Sequence, residues 1–334
     1  MKQIKLKIVD WWGGDFDDNF VVKLLREKFE VVESSNPDYL LYSVFGCEHI
    51  NYDCVRILFI GENIIPNFNV CDYAIGVNYI TFEDRYLYYP LFLLYQKDLD
   101  RALQKHKIQD ISHKNKFCNY IFSNTQAAKI RGDFFDFLSK YKKIDSAGVD
   151  RNNINIALPR EGDTKYEFMK DYKFSIAFEN SSTNGYCTEK ILQAFAAATI
   201  PIYWGDKEIC KKGGFNEKSF ININDYDNFE NALEAIKKLD NDKQAYLAML
   251  REKVFKDDNY IEQKNKELEN FLDNIFNQEP NKAFRRKNEF YYKFFNDDYN
   301  RQIRISNCII TINKIIKKPI NFAKKMIFSN KNHS

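Results

Sequence analysis

Paired metal-binding residues are missing from this chain. Its four histidines (His49, His106, His113, His333) are scattered, and its seven cysteines form no CxxC pair. Neither a zinc site nor a disulfide framework is expected, and the cysteines read as reduced packing residues. Net charge is small, +3 across 334 residues, so no nucleic-acid partner is expected. Long apolar runs are absent too: the longest, Ala194 to Trp204, has eleven residues and contains Pro201, too short to span a bilayer. The opening MKQIKLKIVDWWGG is too charged and alternating for a secretory leader. A cytoplasmic location is therefore expected. GxGxxG and Walker phosphate loops do not occur.

What is present suits folded cores. Hydrophobic residues make up 44% and charged residues 29%. Aromatics reach 16%, with 29 Phe and 21 Tyr, which fits core packing or a sugar- or base-stacking cleft. Charge is unevenly placed. From Tyr299 to Ser334 there are eight basic residues and no acidic ones, which leaves the body at −5. Ile305, Ile309, Ile312, Ile316 and Ile320 fall on one helical face opposite Lys314, Lys317 and Lys318, with Pro319 as a break. Such a tail suits an anionic membrane surface, or packs back on the N-terminal domain.

Strand-like and helix-like segments alternate. Ile4–Val9 is a strand feeding Gly13-Gly14, residues 19–29 have helical spacing, and 30–33, 39–45 and 55–60 are strand-length apolar runs. A polar stretch at 98–116 reads as a helical or loop connection. The pattern then restarts with strands at 117–122, 172–178, 200–203 and 219–223 and helices at 125–141 and 189–198. This is an α/β chain in two mostly parallel units, whose ligands belong beyond the carboxyl ends of the strands.

The densest polar constellation, FENSSTNGYCTEK at 178–190, joins the strand 172–178 to a helix opening at Glu189. Thr188 is placed to cap that helix. A lysine at position 190 opposes the helix dipole, which suits an anion held at the helix N-terminus; the other reading is a solvated loop. Asp15-Phe16-Asp17-Asp18 has a DxD-like spacing but reads as a charge cluster beside a helix, and no metal site is expected.

FENSSTNGYCTEKI followed by TIPIYWGD (199–206) closely resembles the donor-binding signature of the α-1,3/4-fucosyltransferases of glycosyltransferase family 10, especially bacterial members. WWG at 11–13, FIGENIIPNFNVCDYAIGVNYITFEDRYL at 59–87, FSN…R at 122–131 and FNEKSFININDYDNFENAL at 215–233 extend the likeness in the same order. The resemblance implies a GT-B fold, two Rossmann-like domains facing a central cleft. The expected limits are 1–116 for an acceptor-binding domain, 117–284 for a GDP-fucose-binding domain and 285–334 for the basic amphipathic tail.

It further implies inverting transfer from GDP-β-L-fucose to O3 of an N-acetylglucosamine in a lactosamine-type glycan, on lipopolysaccharide or a related surface glycan. The basic tail, for its part, leads to the expectation of an enzyme peripheral to the inner face of the bacterial inner membrane. Another nucleotide-sugar, or a catalytically inactive glycan-binding relative, is the alternative. Glu62 matches the family's general base; its other reading is a loop carboxylate of purely structural use. Arg131 and Lys190 match cations that neutralise the diphosphate in place of a metal, so Mn or Mg is expected to stimulate at most. Their other readings are a partner for Asp133 or Asp136 and a helix-surface lysine. Glu189, Tyr186, Asn180, Ser123 and Asn124 match donor contacts. Trp11 and Trp12 follow the first strand, where an aromatic face suits an acceptor sugar; one of them is expected in the core.

Overall fold

The computed structural model describes residues 1–108, 110–159, 163–286 and 293–307. Alternation is visible in β1 (Gln3–Val9), whose Ile4 and Leu6 are buried while Gln3 and Lys5 are exposed. There follow α1 (Phe20–Arg26), β2 (Glu30–Glu33), β3 (Tyr39–Tyr42), β4 (Val55–Phe59), β5 (Tyr73–Gly76) and β6 (Tyr86–Tyr88). The sheet order is β2-β1-β3-β4-β5-β6, with β2, β1, β3 and β4 parallel. Every residue of β3, β4 and β5 is buried, as in a parallel sheet covered on both faces.

The second part comprises α2 (Gln96–Gln104), β7 (Lys116–Tyr120), α3 (Ile130–Leu138), β8 (Ile144–Ser146), α4 (Thr164–Met169), β9 (Tyr172–Phe178), α5 (Glu189–Ala196), β10 (Ile200–Trp204), β11 (Ile221–Asn222), α6 (Phe229–Asn241), α7 (Lys243–Arg251), α8 (Tyr260–Phe276) and α9 (Pro280–Ala283). Its sheet runs β11-β10-β9-β7-β8 and all four pairings are parallel. Phe134 and Leu138 of α3 pack with Phe174, Ile176 and Phe178 of β9 and Ile200 and Ile202 of β10 in one core.

The chain forms two packing units. One holds Met1–Phe59, Pro66–Ala74 and the described chain from Asn274; the other holds Ile60–Ile65 and Ile75–Asp273. This partition and the limits at 116 and 284 read from the sequence are not the same. The polar stretch after Asp98 is largely helical, and α2 packs on α5 with Leu99 and Ala102 buried. Its few apolar residues face inward, so it belongs to a core and is not a free linker.

The C-terminal chain returns to the first unit. Asp72 is fully buried and accepts from the backbone N–H of Arg56 (2.7 Å), Arg285 (2.8 Å) and Arg286 (2.9 Å) and from Arg286 Nε (2.8 Å). Residues 293–307 are helical. Tyr299 Oη lies 3.1 Å from His49 Nε2, and Asn307 Nδ2 donates to Cys47 Sγ. The start of the basic tail therefore packs on this unit, while the amphipathic stretch from Ile309 onward lies outside the described residues.

Candidate active site

The first strand of the second sheet, β7, is flanked by β8 on one side and β9 on the other. The two crossovers diverge there, and open α/β sheets hold ligands at the carboxyl ends of such a pair. Ser123, Asn124 and Arg131 follow β7; the loop 179–188 follows β9. The expected donor residues therefore come from the two strands that flank the switch point.

Arg131 is 2% exposed and sits in the first turn of α3. Its Nη2 donates to Phe178 O (3.0 Å) and Asn180 Oδ1 (2.9 Å), its Nη1 to Asn124 O (3.3 Å), and its guanidinium lies 3.9 Å from the Phe122 ring centroid. The guanidinium thus ties the β7 loop to the β9 loop. Asp133 instead pairs with Lys129 (3.2 Å) and Asp136 with Arg151 (3.0 Å), so the reading of Arg131 as their partner is discarded. Arg131 Nε is buried without a partner. Burial lowers the guanidinium's pKa; an anion at the two loops would reverse that cost.

A carboxylate that the sequence reading passed over organises the second loop. Glu179, 0% exposed, accepts from Thr188 N (2.7 Å), Thr188 Oγ1 (2.7 Å) and Lys190 Nζ (3.1 Å). Thr188 stands at the N-cap position of α5, yet its hydroxyl caps nothing and is spent on Glu179. Lys190 also donates to Thr188 Oγ1 (2.6 Å) and lies 3.5 Å from Glu189 Oε1. It is no surface lysine. Burial opposes its charge, but Glu179 and Glu189 outweigh it and hold the ammonium well above the ordinary lysine range. Glu179 stands last before the polar run, at the strand's end, which was the signal available.

Glu189 opens α5. Burial raises its carboxyl, but Lys190 and then Lys165 outweigh that and keep it below the ordinary range. The buried Tyr186 phenol is pushed up chiefly by desolvation, and the charges of Glu179, Lys190, Glu62 and Glu189 all act on it. Gly185 has φ +97°, and a Cβ there would come within 2.1 Å of Val77 O. Only glycine meets both demands at this turn.

Glu62 follows β4 in sequence, but residues 60–65 pack with the second unit. Asn63 Nδ2 donates to Ser181 Oγ (2.6 Å) and Thr183 Oγ1 (2.8 Å), pinning the segment to the β9 loop. Desolvation raises the Glu62 carboxyl; Lys190 pulls it down and Glu189 pushes it up. The structure therefore brings together Glu62, Asn124, Arg131, Asn180, Tyr186, Glu189 and Lys190. Ser123 is exposed beside Asn124.

Trp11 and Trp12 lie in the first unit, after β1. Their rings stack at 4.3 Å, and Trp12 meets Phe45, which follows β3, edge-on at 6.0 Å. Trp12 is 45% exposed, Phe45 is 49% exposed, and Trp11 is half-buried. Neither tryptophan is core, because the buried place beneath them is taken by Phe59. The β1 and β3 ends are the switch point of the first sheet, since β1 lies between β2 and β3. Asp17 pairs with Arg26 (2.5 Å) and Asp18 with Lys23 (3.0 Å), so two of the three aspartates of the DxD-like cluster lie in surface ion pairs. Among the described residues no group of three or more His, Cys, Asp or Glu is placed to hold a metal ion.

Comparison with known proteins gives this site its setting. Residues 6–95 match the model of the alpha-(1,3)-fucosyltransferase FucT N-terminal domain, and residues 111–279 match the glycosyltransferase family 10 (fucosyltransferase) C-terminal model. An alpha-(1,3)-fucosyltransferase FucT of Helicobacter pylori is 32% identical over 75% of this chain and 60% of its own length. A putative fucosyltransferase of Acanthamoeba polyphaga mimivirus is 32% identical over 61% of this chain and 34% of its own. The chain thus matches less than two thirds of the length of these curated relatives. A crystal structure of an alpha1,3-fucosyltransferase with GDP-fucose superposes with a TM-score of 0.66 at 28% identity, covering 81% of this chain and 91% of that one. The fold is α/β with two parallel sheets, of the GT-B type seen in those fucosyltransferase structures. The chain belongs to glycosyltransferase family 10, the fucosyltransferases.

Proposed function

We propose that this protein transfers L-fucose from GDP-β-L-fucose, with inversion, to O3 of an N-acetylglucosamine in a lactosamine-type surface glycan such as lipopolysaccharide. The observation that carries this reading is Arg131 and Lys190, two charged and largely buried side chains in the first turns of the helices that follow the two strands of one switch point. Structures of a relative with GDP-fucose and with GDP support the donor class.

In this reading Glu62 takes the proton from the acceptor O3–H as that oxygen bonds to the anomeric carbon. The anomeric carbon–phosphate oxygen bond breaks, and its electron pair leaves on GDP, against Arg131 and Lys190. Asn180, Tyr186, Glu189 and the Ser123–Asn124 turn hold the donor. The exposed rings of Trp12 and Phe45 suit the apolar face of an acceptor sugar. No metal is required; Mn or Mg stimulates at most. The basic tail rests on anionic lipid at the inner face of the bacterial inner membrane; its charge pattern supports this, and no described helix is long and apolar enough to cross a membrane.

Purified protein offered GDP-fucose, GDP-mannose and UDP-sugars with N-acetyllactosamine tests the reading. Turnover of GDP-fucose alone, to an α-1,3-linked product by NMR, is expected. Turnover of a different nucleotide-sugar in its place overturns it.

A further inference from the structure

The charge count around Lys190 does not close with the residues already assigned. Lys190 is held by Glu179 at 3.1 Å and by Glu189 at 3.5 Å, so one cation answers two carboxylates. An arriving diphosphate would meet a group whose charge is already over-spent.

A third ammonium stands beside them on α4. Lys165 Nζ donates to Gln193 Oε1 at 2.5 Å. Gln193 lies four residues after Glu189 on α5, one turn along the same face. Burial holds the Lys165 ammonium below the ordinary lysine range, Glu189 draws it back up, and Lys190 acts on both. The short helix that carries Lys165 is bracketed. Asp163 accepts from Lys97 (2.7 Å) and Arg101 (2.9 Å) of α2, Arg101 lies 4.1 Å from the Tyr166 ring centroid, and Met169 packs on Ala194 and Ala197. The ammonium is therefore aimed at the face of α5 that carries Glu189, and with it the two carboxylates and two ammoniums balance.

We propose that Lys165 is a positioning residue that takes up the charge of Glu189, leaving Lys190 available to the diphosphate of the donor. Glu189 stays an ionised acceptor for donor hydroxyls, and Arg131 adds a second cation for the diphosphate. The inference rests on the donor reading given above.

The test measures GDP affinity by calorimetry for wild type, Lys165→Met, Glu189→Gln, the double variant and Lys165→Arg, with thermal melts of each. Lys165→Met is expected to weaken GDP roughly tenfold, within the range for groups sharing one charge network. Glu189→Gln should recover most of that loss in the double variant, because the charge to be balanced is gone. Lys165→Arg should stay near wild type. The donor KM should rise more than kcat falls. Unchanged GDP affinity in Lys165→Met, or an equal loss with Glu189 and with Gln at that position, overturns the assignment. If Lys165→Met does not fold, Lys165→Gln at a temperature where it is folded decides by the same comparison. Wild-type protein that fails to bind GDP overturns the donor reading itself, and this inference with it.

Discussion

Asn63 holds Ser181: its amide nitrogen lies 2.6 Å from the serine hydroxyl, and 2.8 Å from that of Thr183. A segment that leaves the first sheet is thereby fixed to the loop that leaves the second unit's central strand, one residue from Glu62.

Asn63→Ala should misplace Glu62 without touching the donor cations. Two net hydrogen bonds are worth about 1–3 kcal/mol of stability, so a modest fall in Tm is expected. Rate should suffer more, by up to ~10²-fold for a displacement of about 1 Å, while GDP affinity stays within about threefold. A kcat equal to wild type would dismiss the tether.

Glu62→Gln should lower kcat by ~10²–10⁴ and leave GDP binding intact. A residual rate above about a tenth of wild type rejects Glu62 as the base. The pH profile gives a second reading. Burial raises this carboxyl, and a base acts only when ionised. The acid limb of kcat should therefore fall at a higher pH than an ordinary glutamate would give.

Lys190→Ala should weaken GDP by roughly ten- to hundredfold, corresponding to about 1.5–3 kcal/mol for a hydrogen bond to a charged group. It also strands Glu179, whose side chain is fully buried, so Tm should drop as well. Adding Glu179→Gln relieves that stranding and should restore Tm but not affinity. If both recover together, Lys190 serves the fold alone.

Transfer should survive EDTA, because Arg131 and Lys190 are available to the diphosphate. Complete loss with chelator, restored only by added metal, would refute that arrangement. The assay is an initial rate with and without chelator.

Ending the chain after Asn307 keeps Tyr299 on His49 and removes six of the eight basic tail residues. Each contributes about 1 kcal/mol near an anionic surface. Co-sedimentation with anionic liposomes should fall sharply and transfer to soluble acceptors should persist. Binding that is insensitive to this deletion sets the membrane role aside.

Local pattern carried much of this architecture. The apolar run 172–178, the polar loop and the helix after Thr188 are legible because each is set by neighbours in sequence. Short strands such as β6 and β8, three residues each, present too little periodicity to be seen. The helix expected over 125–141 forms only at 130–138, since Asn124 turns the chain by accepting from Gln126 N (2.9 Å). Resemblance brought Arg131 forward, while Lys190 stood out from its place in the first turn of a helix. Neither signal could bring out the tether made by Asn63, whose partners lie 118 and 120 residues away, or Lys165, which falls between the motifs that carry the resemblance. That neither tryptophan belongs to the core was hidden because Phe59, a residue of another strand, occupies the place beneath them.

Asp72 draws Arg286 across more than two hundred residues of chain, and this bears on how such proteins can be recombined. The first unit is discontinuous in the gene, in three stretches interrupted by the second. A chimera that exchanges only the N-terminal half would leave one parent's carboxylate facing the other parent's returning segment, with a fully buried charge at stake. Exchanges of the first unit between relatives should therefore move residues 1–59, 66–74 and 274–307 as a set, and crossovers within that set should be lost to misfolding.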